Sequence, residues 1–285
     1  SIAGGQFPVL IFSPGIYSNA SAYYAVIEEV VSHGYIVLNI NHTYESTGSL
    51  FPDGSIKYFD LEYDKRTNNQ DMADMAWRAM EGYRNADDED QKYAVSEDIL
   101  RKYIAADITI RWSKDISSVI DELLSGTLFS FLSEHMDASK VGVFGHSQGG
   151  SAAGQATLDD DRIKAGMNID GVQWGNMIDT ILGKPFCVVS ADWESSHPNF
   201  NKYAYRNRST SDFYSVKILG TGHSNFMDIP LMIKLSAINE AGTINPKLGY
   251  TITTETILSF FGKHLLENDI DLFELEEKFP QFKLE

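Results

Sequence analysis

Apolar positions along this chain fall into short unbroken runs, separated by longer stretches in which they recur every three or four residues. The runs are Phe7-Pro-Val-Leu-Ile-Phe-Ser13, Tyr35-Ile-Val-Leu-Asn-Ile-Asn41, Lys140-Val-Gly-Val-Phe144, Ala165-Gly-Met-Asn-Ile169, Pro185-Phe-Cys-Val-Val-Ser190 and Tyr214-Ser-Val-Lys-Ile-Leu219. A strand with one wet face alternates apolar and polar residues. Continuous apolarity predicts strands buried on both faces, as in a parallel sheet. Helices are predicted over Ala22–His33, closed by Gly34, over Ser151–Leu158 and over Thr254–Leu266. Ile108, Ile110, Trp112, Ile116, Val119, Ile120, Leu123 and Leu124 recur at helical spacing and predict a further helix packed on the core. The fold class is therefore α/β, with a mostly parallel, doubly wound sheet and helices on both faces.

A long insertion, roughly residues 43–111, separates the second run from the strand at Lys140. Its first half is polar and turn-rich (Phe51-Pro-Asp-Gly54, Thr67-Asn-Asn-Gln70), and its centre is acidic, Asp87-Asp88-Glu89-Asp90. That half reads as a solvated loop, with a cap over a site as the alternative. The chain closes in an acidic tail carrying Phe273, Leu275, Phe279 and Phe282. No internal repeat or linker interrupts it, so residues 1–285 read as one domain.

Composition narrows the partners. A formal net charge of −17 argues against nucleic acid and against adsorption to anionic bilayers. No apolar run approaches the roughly 20 residues of a membrane span. The single cysteine, Cys187, permits no intrachain disulfide and reads as a buried strand residue. The chain begins at Ser1 rather than Met, so either a processed form or a form made for expression is expected, and no signal peptide is legible.

Candidate chemistry centres on Gly145-His146-Ser147-Gln148-Gly149-Gly150. A strand, a sharp turn with Ser at its apex and a helix of small residues form the context that a G-x-S-x-G nucleophile elbow requires. Side chains at Gly145 or Gly149 would clash where strand and helix come closest, while the Ser147 hydroxyl stands clear of the sheet at a helix N-terminus. A serine nucleophile needs a base, and the base needs an acid to hold its tautomer. Of seven histidines, His33 precedes a strand, His135 and His264 are predicted in helices, and His146 is locked in the elbow. His42 precedes Ser147 in the chain, which is the wrong order, and His197 follows an earlier strand. His223, in Gly220-Thr-Gly-His-Ser-Asn225, immediately follows the last strand and is the predicted base. Asp170 and Asp192 each end a strand, and either could be the acid. The commoner hydrolase arrangement favours Asp192.

Taken together, Phe12-Ser-Pro-Gly-Ile16, Gly145-His-Ser-Gln-Gly-Gly150, Asn168-Ile-Asp-Gly171 and Gly222-His-Ser-Asn-Phe226 resemble the secreted platelet-activating-factor acetylhydrolases, the group VII phospholipases A2 of the α/β-hydrolase superfamily. The likeness runs on through Ile244-Asn-Pro to Phe260-Phe-Gly-Lys-His-Leu265. It implies a serine carboxylic-ester hydrolase with Ser147, Asp170 and His223 as the triad. It also implies an oxyanion hole made by the backbone N–H groups of Ile16 and Gln148. Ser13-Pro14-Gly15 replaces the family's Ser-His-Gly, and Gln148 stands where Phe is usual, so a change in acyl-pocket polarity is expected. Strands that normally precede Phe7–Ser13 are not present, which implies an open sheet edge.

The expected partner is a small-molecule ester, with no cofactor and no metal: no H-E-x-x-H, CxxC or EF-hand spacing occurs. Tyr17, Tyr23, Tyr24, Trp174, Trp193 and Phe226 are predicted near the sheet mouth and suggest a short, walled pocket for short acyl chains. The rival readings are a cutinase-like polyester hydrolase, taking its acid from Asp192, and a non-catalytic hydrolase-fold binding module.

Overall fold

A computed structural model describes residues 4–126, 130–208, 212–233 and 240–285. Seven strands form one sheet in the order β2-β1-β5-β6-β7-β8-β9. They are β1 (Phe7–Ser13), β2 (Ile36–Asn39), β5 (Met136–His146), β6 (Ile163–Ile169), β7 (Phe186–Ser190), β8 (Phe213–Ile218) and β9 (Phe282–Leu284). Every pair is parallel except β8 with β9. Each predicted apolar run became a strand, with ends shifted by a few residues at most except in β5, which extends back to Met136.

Strand pleat sends alternate side chains to opposite faces, and two helix layers take them up. Leu10, Phe12, Phe144, Met167 and Cys187 pack with α1 (Tyr24–Ser32) and the long helix α7 (Pro246–Leu266) in one cluster. Ile11, Val141 and Val143 pack on the other face against Ile108, Trp112, Ile116 and Ile120 of α5 (Ile104–Ser125) and the alanines of α6 (Gln148–Asp159). Five of the eight positions in the helical stripe read from sequence are thus core, Ile110 and Val119 are half-buried, and Leu124 is exposed. Trp112 is wholly buried, and truncating such a side chain typically costs about 3–5 kcal/mol. Cys187 is buried in β7, and burial pushes its thiol pKa up, as expected of an inert core residue.

The insertion is not the solvated loop that its polarity suggests. After a two-stranded hairpin, β3 (Gly48–Leu50) and β4 (Ile56–Tyr58), it folds into α2 (Leu61–Thr67), α3 (Gln70–Arg84) and α4 (Glu89–Lys102). Phe51–Gly54 is the hairpin turn, whereas Asn69, in the second stretch read as a turn, is a helix cap. Asp60, Asn69 and Asp88 each accept hydrogen bonds from backbone N–H groups in the first turn of these helices. The acidic cluster therefore starts α4, where negative charge meets the helix dipole. The tail differs too: α8 (Phe273–Lys278) turns it back, and β9 covers the edge of β8. His135 lies in a turn before β5 rather than in a helix.

Two features position the site. Strand order reverses between β1, flanked by β2, and β5, flanked by β6, so the loops beyond these strands diverge and leave a crevice. Register then aligns the loops: Ser13 pairs with Gly145, and His146 with Ile169. The segments beginning at Pro14, Ser147 and Asp170 consequently leave the sheet side by side.

Candidate active site

Ser147 sits between β5 and α6 with φ 56° and ψ −124°. Such a conformation costs a non-glycine residue of order 1–3 kcal/mol. It is held by its N–H donating to Ile169 O at 2.8 Å and its carbonyl accepting from Ser151 N–H at 3.1 Å. The glycines around it are obligatory. A Cβ on Gly145 would lie 2.3 Å from Gly149 O, and one on Gly149 would lie 2.1 Å from Ser13 O. The second clash adds something the sequence reading lacked, because Gly149 makes room for the loop after β1 as well as for its own strand.

Of six non-glycine residues with positive φ among the described residues, Tyr17, Ser147 and Asp170 lie in the loops after β1, β5 and β6. Backbone strain is concentrated at this end of the sheet. Asp170 follows β6 with φ 51°, and its carboxylate is almost wholly buried. Oδ2 accepts from His223 Nδ1 at 2.6 Å, while Oδ1 accepts from Ala191 N–H and Trp193 Nε1–H, both at 2.8 Å. A carboxylate can only accept here, so Nδ1 of His223 carries the proton and Nε2 is the free position. Asp192 points elsewhere: its Oδ2 accepts from Gly220 N–H at 2.9 Å and caps the loop that leads to His223.

His223 opens a short helical turn, His223–Phe226. Asn225 Oδ1 accepts from Gly222 N–H at 2.8 Å and Gly242 N–H at 2.7 Å, stitching the His223 turn to the segment at 240–242.

Ser147, Asp170 and His223 line one cavity of about 720 Å³, together with Ile16 and Gln148. As first residue of α6, Gln148 has a backbone N–H with no carbonyl within its own helix to bond. Its side chain is turned away, with both amide hydrogens given to α5, to Ala105 O at 3.1 Å and Thr109 Oγ1 at 2.7 Å. The polarity that Gln148 brings is therefore spent on anchoring the elbow helix to α5.

Trp174 and Trp193 line the cavity as expected, but Tyr23 and Phe226 are buried behind it and Tyr17 and Tyr24 are exposed. Nor is the pocket short, since its wall continues past Phe200 and Phe213 to Lys217 on β8. No residue of 43–111 lines it. Instead Ala79, Ile99 and Leu100 of α3 and α4 pack behind the wall against Met177, Phe200 and Tyr203.

Two contributors escaped the sequence reading: Trp193, as donor to the acid, and the pair Tyr23–His146. Tyr23 hydroxyl lies 2.9 Å from His146 Nδ1, and His146 Nε2 lies 3.1 Å from the His223 carbonyl oxygen. The position of Trp193 directly after Asp192 at the end of β7 was the only signal for the former. Ligand atoms of His146, Asp170 and His223 fall within 4.8 Å of one another, but the contacts just given already engage both His146 nitrogens and join the other two residues to each other.

The family model for platelet-activating factor acetylhydrolase, isoform II, matches residues 2–280. The chain belongs to the platelet-activating factor acetylhydrolase family. Within it, the chain is 23% identical over 283 residues to the platelet-activating factor acetylhydrolase of Cavia porcellus, an alignment covering 94% of this chain and 60% of that one. It is 23% identical over 243 residues to a probable 1-alkyl-2-acetylglycerophosphocholine esterase of Arthroderma benhamiae, covering 82% of this chain and 51% of the relative. The chain thus spans at most about three-fifths of the length of these relatives. A ferulic acid esterase from Streptomyces cinnamoneus superposes with a TM-score of 0.74 at 22% identity, covering 99% of this chain and 74% of that one, which establishes the α/β-hydrolase fold. No helix among the described residues is long and apolar enough to cross a membrane.

Proposed function

We propose that this acetylhydrolase-family chain is a serine carboxylic-ester hydrolase. The observation that carries the reading is the placement of Ser147, in its strained turn, on the wall of a cavity shared with a His223 whose Nδ1 is held by Asp170. Ser147 Oγ attacks the ester carbonyl carbon while its proton passes to His223 Nε2. Asp170 keeps the ring in the tautomer that can receive it and stabilises the imidazolium that results. Negative charge gathers on the former carbonyl oxygen, where the N–H groups of Gln148 and Ile16 donate to it. The C–O bond to the alcohol then breaks as His223 returns the proton to the leaving oxygen. Water, deprotonated by the same His223, hydrolyses the acyl-serine and regenerates the hydroxyl.

The cavity and the relatives support a reading of the substrate class. An aromatic-walled space of about 720 Å³ accommodates more than an acetyl group, and the relative named as a probable 1-alkyl-2-acetylglycerophosphocholine esterase supports a short-chain acyl ester as substrate. The experiment is labelling with a fluorophosphonate probe alongside hydrolysis of p-nitrophenyl esters from acetyl to long-chain acyl. We expect one labelled residue, Ser147, and turnover that depends on it. An unlabelled, inactive chain would revive the binding-module reading, and a preference for polymeric esters would favour the cutinase-like one.

A further inference from the structure

We propose that Tyr23 and His146 are positioning residues, a buried hydrogen-bonded relay that holds the loop carrying the Ile16 amide and the loop carrying His223 in fixed relation across the elbow. The inference rests on the hydrolase reading above and adds a role for two side chains that do not touch the reacting atoms.

The direction of the relay is forced by its ends. The His223 carbonyl can only accept, so the His146 nitrogen 3.1 Å from it, Nε2, carries the proton. Burial holds the His146 imidazole well below its ordinary pKa, so the ring is neutral and Nδ1 is bare. Tyr23, 2.9 Å from Nδ1, must therefore donate its hydroxyl proton there. Burial raises the phenol to about 12, which keeps that proton in place. The Tyr23 oxygen in turn accepts from Gly15 N–H at 3.0 Å. The result is one chain, from Gly15 N–H through Tyr23 and His146 to the His223 carbonyl, running from the loop after β1 to the loop after β8.

Both ends of that chain are backbone atoms next to proposed reacting groups. Gly15 precedes Ile16, and Tyr17 N–H on the other side donates to Glu45 O at 3.3 Å, so the Ile16 amide lies between two bonded amides. At the other end, the His146 ring lies 4.4 Å from the His223 ring while bonding its carbonyl, so one side chain bounds both the backbone and the ring of the base. Tyr23 and His146 are each about 1% exposed. Apolar residues would fill that space with less desolvation, but they would leave the Gly15 N–H without this acceptor. Space around Gly15 is also committed: a Cβ there would lie 3.2 Å from the Tyr23 hydroxyl and 3.3 Å from Ser147 Cβ. Small displacements matter at such a site, because an amide donor is effective only where the oxyanion forms.

The test is Tyr23→Phe, which removes one oxygen and keeps the ring, with His146→Gln as a second variant that retains a donor toward the His223 carbonyl. Active sites are counted by fluorophosphonate titration, so that kcat is expressed per reactive Ser147. Displacing rather than deleting an oxyanion donor should lower kcat about ten- to a hundredfold, below the full loss of such a donor. KM should stay within a few-fold, and the affinity for a trifluoromethyl ketone should fall in step with kcat/KM. A merely structural role would lower melting temperature and titrated fraction and leave kcat per site alone. Tyr23→Phe with wild-type kcat per titrated site overturns the inference. A wild-type chain that is neither labelled nor active overturns the hydrolase reading itself, which is a separate result.

Discussion

The described residues include two serine–histidine–aspartate sets, and the proposed chemistry uses only the one that lines the cavity. In the cavity are Ser147, His223 and Asp170. Beside the elbow, at the end of β1, Ser13 Oγ lies 2.9 Å from His42 Nε2, and His42 Nδ1 lies 2.8 Å from Asp115 Oδ2. The tautomer is the same in both, with Nδ1–H donated to a carboxylate. What differs is the surroundings. Ser13 is an ordinary β1 residue with no exposure, and the His42 ring is stacked on Trp112 at 3.7 Å. Ser147 stands in a strained turn at a helix N-terminus on a cavity wall. Three matching side chains therefore make a hydrogen-bond chain, while access and donors for a developing oxyanion are needed to make a hydrolytic site.

The sharpest way to break this comparison is to remove each serine hydroxyl. Ser147→Ala should abolish p-nitrophenyl acetate hydrolysis, to below about a thousandth of wild type, with the fold intact by circular dichroism. His223→Ala should do the same, and the double variant should be no worse than either single, since the triad acts as a unit. Ser13→Ala should leave kcat within about tenfold and lower stability by about 1–3 kcal/mol, because His42 Nε2 is left buried without its partner. Comparable kinetic losses from both serines would remove the distinction.

A smaller effect separates the acids. Asp170→Asn should lower kcat by up to about ten-thousandfold, as an amide at that position favours the wrong His223 tautomer. Asp192→Asn should cost under about tenfold, since it weakens only the cap on Gly220 N–H. Steady-state kinetics on the two variants decide the matter. If Asp192→Asn proves the worse, the cutinase-like reading gains.

The choice between these acids shows where the sequence stopped being legible. Strand runs, the elbow and the loop position of His223 all follow from local pattern, because buried parallel strands and a Gly-flanked serine leave signatures within a few residues. Which strand lies beside the elbow is not local. Asp170 and Asp192 both end apolar runs, and only the pairing of β6 with β5 brings the former next to Ser147. Resemblance, not periodicity, favoured Asp170. The insertion was obscure for a different reason: Asp60, Asn69 and Asp88 are turn residues and helix caps alike, and α3 and α4 bury few apolar residues to mark their period. The closing strand β9 has three residues, too few for alternation to show.

The buried set predicts a pH effect on stability rather than on turnover. Burial holds His42 below its ordinary value of 6.5, against the pull of Asp115. As pH falls through about 6.5 the unfolded chain takes up a proton that folded His42 refuses, so stability is full above that pH and declines below it. The slope for one such group reaches at most about 1.4 kcal/mol per pH unit. His146, His197 and His264 are shifted the same way by burial, and Asp228, raised by burial, acts oppositely. His42→Gln isolates its share, because the other contributions persist in the variant. Melting temperature from pH 7 to 5 should fall less steeply in His42→Gln than in wild type. Parallel curves would mean that His42 titrates normally.

The smallest expected effect, none, tests whether the cavity set differs from the buried one by an ion rather than by access. His146, Asp170 and His223 approach closely enough to suggest a metal site. Apart from His223 Nε2, their donor atoms are already committed. His146 Nδ1 accepts from Tyr23 and its Nε2 donates to His223 O, while Asp170 accepts from Ala191, Trp193 and His223. A cation would have to break several of these bonds, each worth about 0.5–1.5 kcal/mol and more where the carboxylate is involved. At His223 it would have to take either Nδ1, whose proton orients the base, or Nε2, the nitrogen that must stay free to accept the Ser147 proton. Hydrolysis should therefore be unchanged, within about twofold, in EDTA or with added calcium, since the proposed oxyanion donors are backbone N–H groups rather than a Lewis acid. Turnover lost in EDTA and restored by a divalent metal would mean that the two sets differ by a bound cation, and that Ser147 owes its reactivity to something other than its turn and its base.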